Sequence, residues 1–154
     1  MRLVRHFFLF LTFQFIGSCI DNPCKDSNIV CRDSYESLFR LISKTDGKDL
    51  IFGSTGLYDK SKIRVFSVTG NDTTFANYQP YRLVMEGYDS VSHFNLSSKA
   101  DTLYIQLNNS DVDTIAVSYG QAEGRCCSFN AIRFMNYNNT GALPNFNGTV
   151  EFKK

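Results

Sequence analysis

Thr102-Leu103-Tyr104-Ile105-Gln106-Leu107, the turn residues Asn108-Asn109-Ser110-Asp111, and Asp113-Thr114-Ile115-Ala116-Val117-Ser118-Tyr119 form the stretch that decides the fold. Both flanks alternate. Leu103, Ile105 and Leu107 share one face while Thr102, Tyr104 and Gln106 share the other, and Ile115, Val117 and Tyr119 repeat the pattern. A period of two residues belongs to a half-buried strand. Asn, Ser and Asp between two such runs reverse the chain. The stretch predicts an antiparallel hairpin with Ile115, Val117 and Tyr119 inward.

The same signals repeat on either side. Ile63-Arg64-Val65-Phe66-Ser67-Val68 is β-branched and stops at Gly70-Asn71-Asp72, and Tyr81-Arg82-Leu83-Val84-Met85 follows Pro80 and stops at Gly87. Val91 to Leu96, Cys126 to Tyr137 and Thr149 to Phe152 complete the series. Residues 34–43 carry two signals. Asp33 followed by Glu36 is a capping-box spacing, and Tyr35, Leu38, Phe39 and Ile42 fall at helical intervals. Against a helix, the apolar run is short and meets Asp46-Gly47, a strong hairpin dipeptide. We read residues 34–43 as a strand, with Asp49-Leu50-Ile51-Phe52-Gly53 returning beside it. About seven to eight short strands with turn residues between them predict an all-β chain, an antiparallel β-sandwich of immunoglobulin-like or similar type.

Ahead of this domain lie Arg2 and Arg5 and the ten-residue apolar run Phe7 to Ile16. A bilayer core needs about 20 apolar residues, so the run reads as an export signal and not as a span. The four residues after it, Ile16-Gly17-Ser18-Cys19, resemble the bacterial lipobox, and a Phe-rich leader with serine before the cysteine is most similar to lipoproteins of the Bacteroidetes group. The resemblance covers the leader alone. It implies cleavage after residue 18 and lipidation of Cys19 with palmitate-type acyl chains, which anchor stably where a single chain is marginal. The division is then a signal peptide over 1–18, a lipidated tether over 19–33 and one β-domain over 34–154. An ordinary signal peptide cleaved nearby is the alternative. Lys44-Thr45-Asp46-Gly47-Lys48-Asp49-Leu50-Ile51-Phe52-Gly53, followed by Tyr58-Asp59, also resembles a stretch of uncharacterised lipoproteins from the same group, interrupted here by Asp46.

Five cysteines are an odd set for an exported chain. With Cys19 carrying lipid, Cys24, Cys31, Cys126 and Cys127 remain as disulfide partners in an oxidising compartment. Cys126 and Cys127 are adjacent and would face opposite ways in a strand, so they take separate partners, Cys24 and Cys31. A local Cys24–Cys31 loop is the other arrangement. Zinc is disfavoured because no C-x-x-C spacing occurs.

Composition narrows the function classes. Arg2 and Arg5 lie in the leader, so 14 basic residues face 15 acidic ones from Cys19 onward, a balance of −1. Nucleic acid needs a basic stripe that this chain lacks. Outside the leader His93 is the sole histidine, and there is no G-x-S-x-G elbow for a hydrolase triad. His93 therefore reads as solvated or packed. Asn108, Asn109, Asp111 and Asp113 make an oxygen-rich turn without the regular calcium-loop spacing. No catalytic residue, cofactor or metal is assigned. Asp72-Thr73-Thr74, Asp89-Ser90-Val91, Asp101-Thr102-Leu103 and Asp113-Thr114-Ile115 resemble the O-glycosylation acceptors of exported Bacteroidetes proteins, which implies Thr73, Ser90, Thr102 and Thr114 as sites. N-glycosylation triplets begin at Asn71, Asn95, Asn108, Asn138 and Asn147. The expectation is a non-catalytic binding or accessory module, lipid-anchored at the outer membrane, with a glycan or protein ligand at exposed loops. A secreted carboxylate-pair hydrolase and a eukaryotic secreted N-glycoprotein are the alternatives.

Overall fold

A computed structural model describes residues 24, 31–54, 56–81, 90–124, 126–145 and 148–154. The leader, Cys19 and nearly all of the tether lie outside the described residues. The β-rich unit runs from Cys31 to Lys154. Its strands are β1 (Glu36–Ile42), β2 (Arg64–Thr69), β3 (Asp72–Phe75), β4 (Asn77–Tyr81), β5 (Val91–Asn95), β6 (Thr102–Gln106), β7 (Val112–Glu123), β8 (Ser128–Tyr137), β9 (Ala142–Pro144) and β10 (Val150–Lys153). They form a four-stranded sheet ordered β10-β1-β5-β4 and a six-stranded sheet ordered β3-β2-β6-β7-β8-β9. The chain is an all-β sandwich.

The decisive hairpin is there as read. β6 and β7 pair antiparallel, Leu103 opposite Ile115 and Ile105 opposite Asp113. Leu103, Ile105, Leu107 and Ile115 are 1 % exposed or less. These side chains meet Phe39, Leu41, Phe94, Val150 and Phe152 from the smaller sheet in one hydrophobic core. Aromatic rings bridge the layers. Phe152 stacks on Tyr137 with centroids 4.8 Å apart and touches Phe39 at 5.3 Å. Tyr119 is half-buried, because a bulge between Ser118 and Tyr119 shifts the β7–β8 register there. Its hydroxyl donates to the Ala100 carbonyl at 2.6 Å.

Several expectations are corrected. Ten strands are present among the described residues, more than the seven or eight expected, because β3 and β9 carry no buried apolar alternation. The sandwich is not wholly antiparallel: β1 runs parallel to β10, Phe39 opposite Val150 and Leu41 opposite Phe152. The strand reading of residues 34–43, by contrast, holds: Glu36–Ile42 is β1. The Asp33 carboxylate takes the Asn130 N–H and the Tyr35 hydroxyl, both at 2.8 Å, and so caps no helix. The Asn130 N–H, with Tyr35 second, holds the Asp33 carboxyl below the usual carboxylate range.

The return strand over 49–53 is absent. Asp46-Gly47 does turn the chain, with Gly47 at φ 69°. The pairing ends after one bridge, Ile42 to Asp49. Asp49 Oδ1 then accepts the N–H groups of both Ile51 and Phe52 at 2.8 Å, which bends the backbone away from β1. Of the run Tyr81 to Met85, only Tyr81 is described, as the last residue of β4. Pro80 sits inside β4, which is tolerable because β4 is a sheet edge.

Cys126 and Cys127 lie in the turn before β8 and not in a strand. Cys127 is bonded to Cys31 across 96 positions, with Cα atoms 6.1 Å apart. Cys24 and Cys126 are each engaged in a disulfide as well. The local Cys24–Cys31 loop does not form. Disulfides of this kind belong to an oxidising, exported environment. Among the described residues no helix is long and apolar enough to cross a membrane.

Candidate functional site

The outer face of the four-stranded sheet carries a cleft of about 510 Å³, open to solvent and lined by Glu36, Ser37, Leu38, Gln79, Tyr81, His93, Asn145 and Gly148. Strand register brings these residues together. On β5, His93 stands opposite Leu38 of β1 on one side and Gln79 of β4 on the other. Two positions away on those strands, Glu36 and Tyr81 share the same face, because side chains of a strand alternate.

The polar groups are held in place. His93 Nε2 lies 3.2 Å from Glu36 Oε2. His93 Nδ1 is buried without a partner among the described residues. Donation from Nε2 leaves Nδ1 with a lone pair and no stranded N–H, so the network selects that tautomer. Glu36 also accepts from Ser34 Oγ at 3.2 Å and Asn95 Nδ2 at 3.5 Å. Asn145 fixes the far wall: its Nδ2 donates to the Glu36 and Ile132 carbonyls at 3.2 Å, and its N–H donates to the Arg133 carbonyl at 2.8 Å. Asn145 Oδ1 accepts from Ser37 Oγ at 2.6 Å. The Ser37 hydroxyl is thereby turned away from His93, which projects from the other sheet face, so the two make no nucleophile–base pair. Tyr81 is 48 % exposed, its ring 6.3 Å from that of His93.

A second polar cluster closes one end of the sandwich. Lys154 Nζ donates to Asp113 Oδ2 at 2.6 Å and Asp111 Oδ1 at 2.8 Å. The Tyr137 and Tyr58 hydroxyls donate to Asp113 and Asp111 at 2.5 and 2.6 Å. Asn138 Nδ2 supplies Asp113 Oδ1 at 2.8 Å. The two carboxylates of the oxygen-rich turn are thus bridged by one lysine, and among the described residues no group of three or more His, Cys, Asp or Glu side chains could hold a metal. Burial works to raise the Asp111 carboxyl, but hydrogen bonds from Lys154 and Tyr58 bring it below its ordinary value. Burial works against the Lys154 ammonium, and the two carboxylates more than offset it, so its pKa is raised. Burial, then the adjacent carboxylates, raise both tyrosines.

These directions fix a pH profile. A lowered Asp111 contributes stability above its ordinary value and loses it as pH falls through the folded one. Raised Lys154, Tyr58 and Tyr137 contribute fully below their ordinary values and lose that contribution as pH rises through the folded ones. Urea midpoints are expected to be flat from about pH 5 to 9 and to fall on both sides. In Lys154→Met the acid arm is expected to shrink; an unchanged acid arm would show that Asp111 is not held by Lys154.

The positions read as modification sites are placed as follows. Thr73, Thr102 and Thr114 are exposed on the outer face of the six-stranded sheet, on β3, β6 and β7, and Ser90 is half-buried just before β5. Asp113, ahead of Thr114, is 6 % exposed and committed to the lysine cluster. Asn71, Asn95, Asn108 and Asn138 are exposed, while Asn147 and Cys19 lie outside the described residues. His93 was singled out in the sequence as solvated or packed, and it is half-buried in the cleft. Gln79, Tyr81 and Asn145 were not singled out as a site; the Gln79/Tyr81 alternation was available but is broken up by Pro80.

Compared with protein-family models, curated proteins and solved structures, the chain matches none.

Proposed function

We propose that this protein is an exported, lipid-anchored, non-catalytic binding module, with Cys19 bearing the lipid and the outer-face cleft taking the ligand. One observation carries the binding role: a polar cleft built on paired strands, whose histidine is committed to Glu36 and whose serine is committed to Asn145. Glu36 is the one carboxylate among the described lining residues, which supports recognition over carboxylate-pair hydrolysis. Two close carboxylate pairs elsewhere are each bridged by a cation, Asp111 and Asp113 by Lys154 and Asp49 and Glu151 by Arg40. The anchor rests on the lipobox resemblance and on cysteine use. Four of five cysteines are in disulfides, and Cys19 is the remaining one.

The test is the intact mass of protein taken from its native membrane. Residues 19–154 plus acyl chains are expected, rising by about four hydrogens on reduction of two disulfides. Cys19→Ala is expected to move the protein from the membrane pellet to the soluble fraction. A lipid-free chain beginning near Ile20 would overturn the anchor and favour a secreted protein.

A further inference from the structure

We propose that the cleft on β1, β5 and β4 binds a neutral oligosaccharide; this rests on the reading of that cleft as the binding site. Charge comes first. None of the described lining residues is Lys or Arg. Arg40, two positions beyond Leu38 on β1, is engaged by Asp49 at 3.0 Å and Glu151 at 3.1 Å. Among the described lining residues a phosphate, sulfate or carboxylate ligand meets no counter-charge. A cation would compete for Glu36 with the three donors already on it, from Ser34, His93 and Asn95. A neutral ligand is what remains.

Hydrogen-bonding capacity then narrows the class. The exposed Gln79 amide makes no hydrogen bond among the described residues, and it both donates and accepts. The Tyr81 hydroxyl has the same dual character, and the Glu36 carboxylate retains spare lone pairs. Sugar hydroxyls are likewise donors and acceptors at once, so each can be matched without a change of charge. The half-exposed Tyr81 ring and the Leu38 side chain supply apolar surface for the C–H face of a pyranose. A cleft of about 510 Å³ lies within the range of small-ligand sites. Most of its wall residues lie on strands, and Asn145 of the loop is pinned across both sheets, so little ordering entropy is lost on binding.

The experiment is calorimetric titration of the full mature chain with neutral tetrasaccharides of glucose, mannose, xylose and N-acetylglucosamine. Tetralysine and a sulfated tetrasaccharide serve as charged probes. The variants are Tyr81→Ala and Gln79→Ala, both exposed on an edge strand, with Phe75→Ala on the other sheet as control and melting curves to verify folding. At least one neutral tetrasaccharide is expected to bind, about tenfold or more weaker with each cleft variant and unchanged with Phe75→Ala. Binding of a charged probe alone, lost in Tyr81→Ala, would overturn the sugar assignment and keep the cleft as a binding site. Sugar binding insensitive to both cleft variants would overturn the site itself. No binding by any probe would overturn the inference.

Discussion

Replacing Cys31 and Cys127 together by serine is expected to lower the free energy of unfolding by about 2–5 kcal/mol. The bond closes a loop of 96 positions, for which the chain-entropy model gives at most about 4.7 kcal/mol. The disulfide bonding of Cys24 and Cys126 restrains the unfolded chain as well, which lowers that figure. The Cys31–Cys127 bond also fixes the entry of the chain into the sandwich. Just after Cys31, the Ser34 N–H donates to the Asn130 carbonyl at 2.8 Å, and Asp33 receives the Asn130 N–H. Without the cross-link those contacts carry more of the docking of the segment onto β8, beside the disulfide bonding that Cys24 and Cys126 keep. Urea unfolding of the oxidised wild type and of the double variant, at one pH, reads the difference. A loss under about 1 kcal/mol would mean that the denatured chain is already restrained by other means.

Phe152→Ala is expected to cost about 3–5 kcal/mol. Phe152 is fully buried on a four-residue edge strand, stacked on Tyr137 and against Phe39. Truncation leaves a void between two layers whose other members are fixed by their own strands, so little collapse into it is available. Amide exchange along β10 is expected to rise in the variant more than along β6 and β7. A cost under 1 kcal/mol would show that the layers close over the gap. Because the disulfide acts largely through the unfolded chain and Phe152 through the core, the two losses are expected to add within about 0.5 kcal/mol.

The β6–β7 hairpin was legible because its apolar side chains lie on one face and its turn is local. β3 and β9 were not. Their four and three residues are exposed or half-buried, so no alternation of burial marks them. The error after Asp46-Gly47 had a side-chain cause: the dipeptide gives the turn, but it is Asp49 that decides whether a strand follows. The parallel partner of β1 is set by residues over a hundred positions away and leaves no local trace. The cleft was illegible for the same reason. Its residues come from β1, β4, β5 and the loop segment before β10, and only register makes Gln79, His93 and Leu38 neighbours. His93 and Glu36 were visible one at a time, but their pairing was not.

The parallel contact of β1 with β10 also sets the timing of assembly. Arg40 and Glu151 meet across 111 positions, and β1 is an interior strand of its sheet. A chain threaded unfolded through a membrane, amino end first, delivers β1 long before β10. Until residues 150–153 emerge, β1 has one open edge and Phe39 lacks Phe152 as its neighbour. Contacts so distant in sequence form slowly. The sandwich therefore cannot lock before its last strand is delivered. A chain truncated before β10 would leave that edge open for good, as a ready template for pairing with another copy.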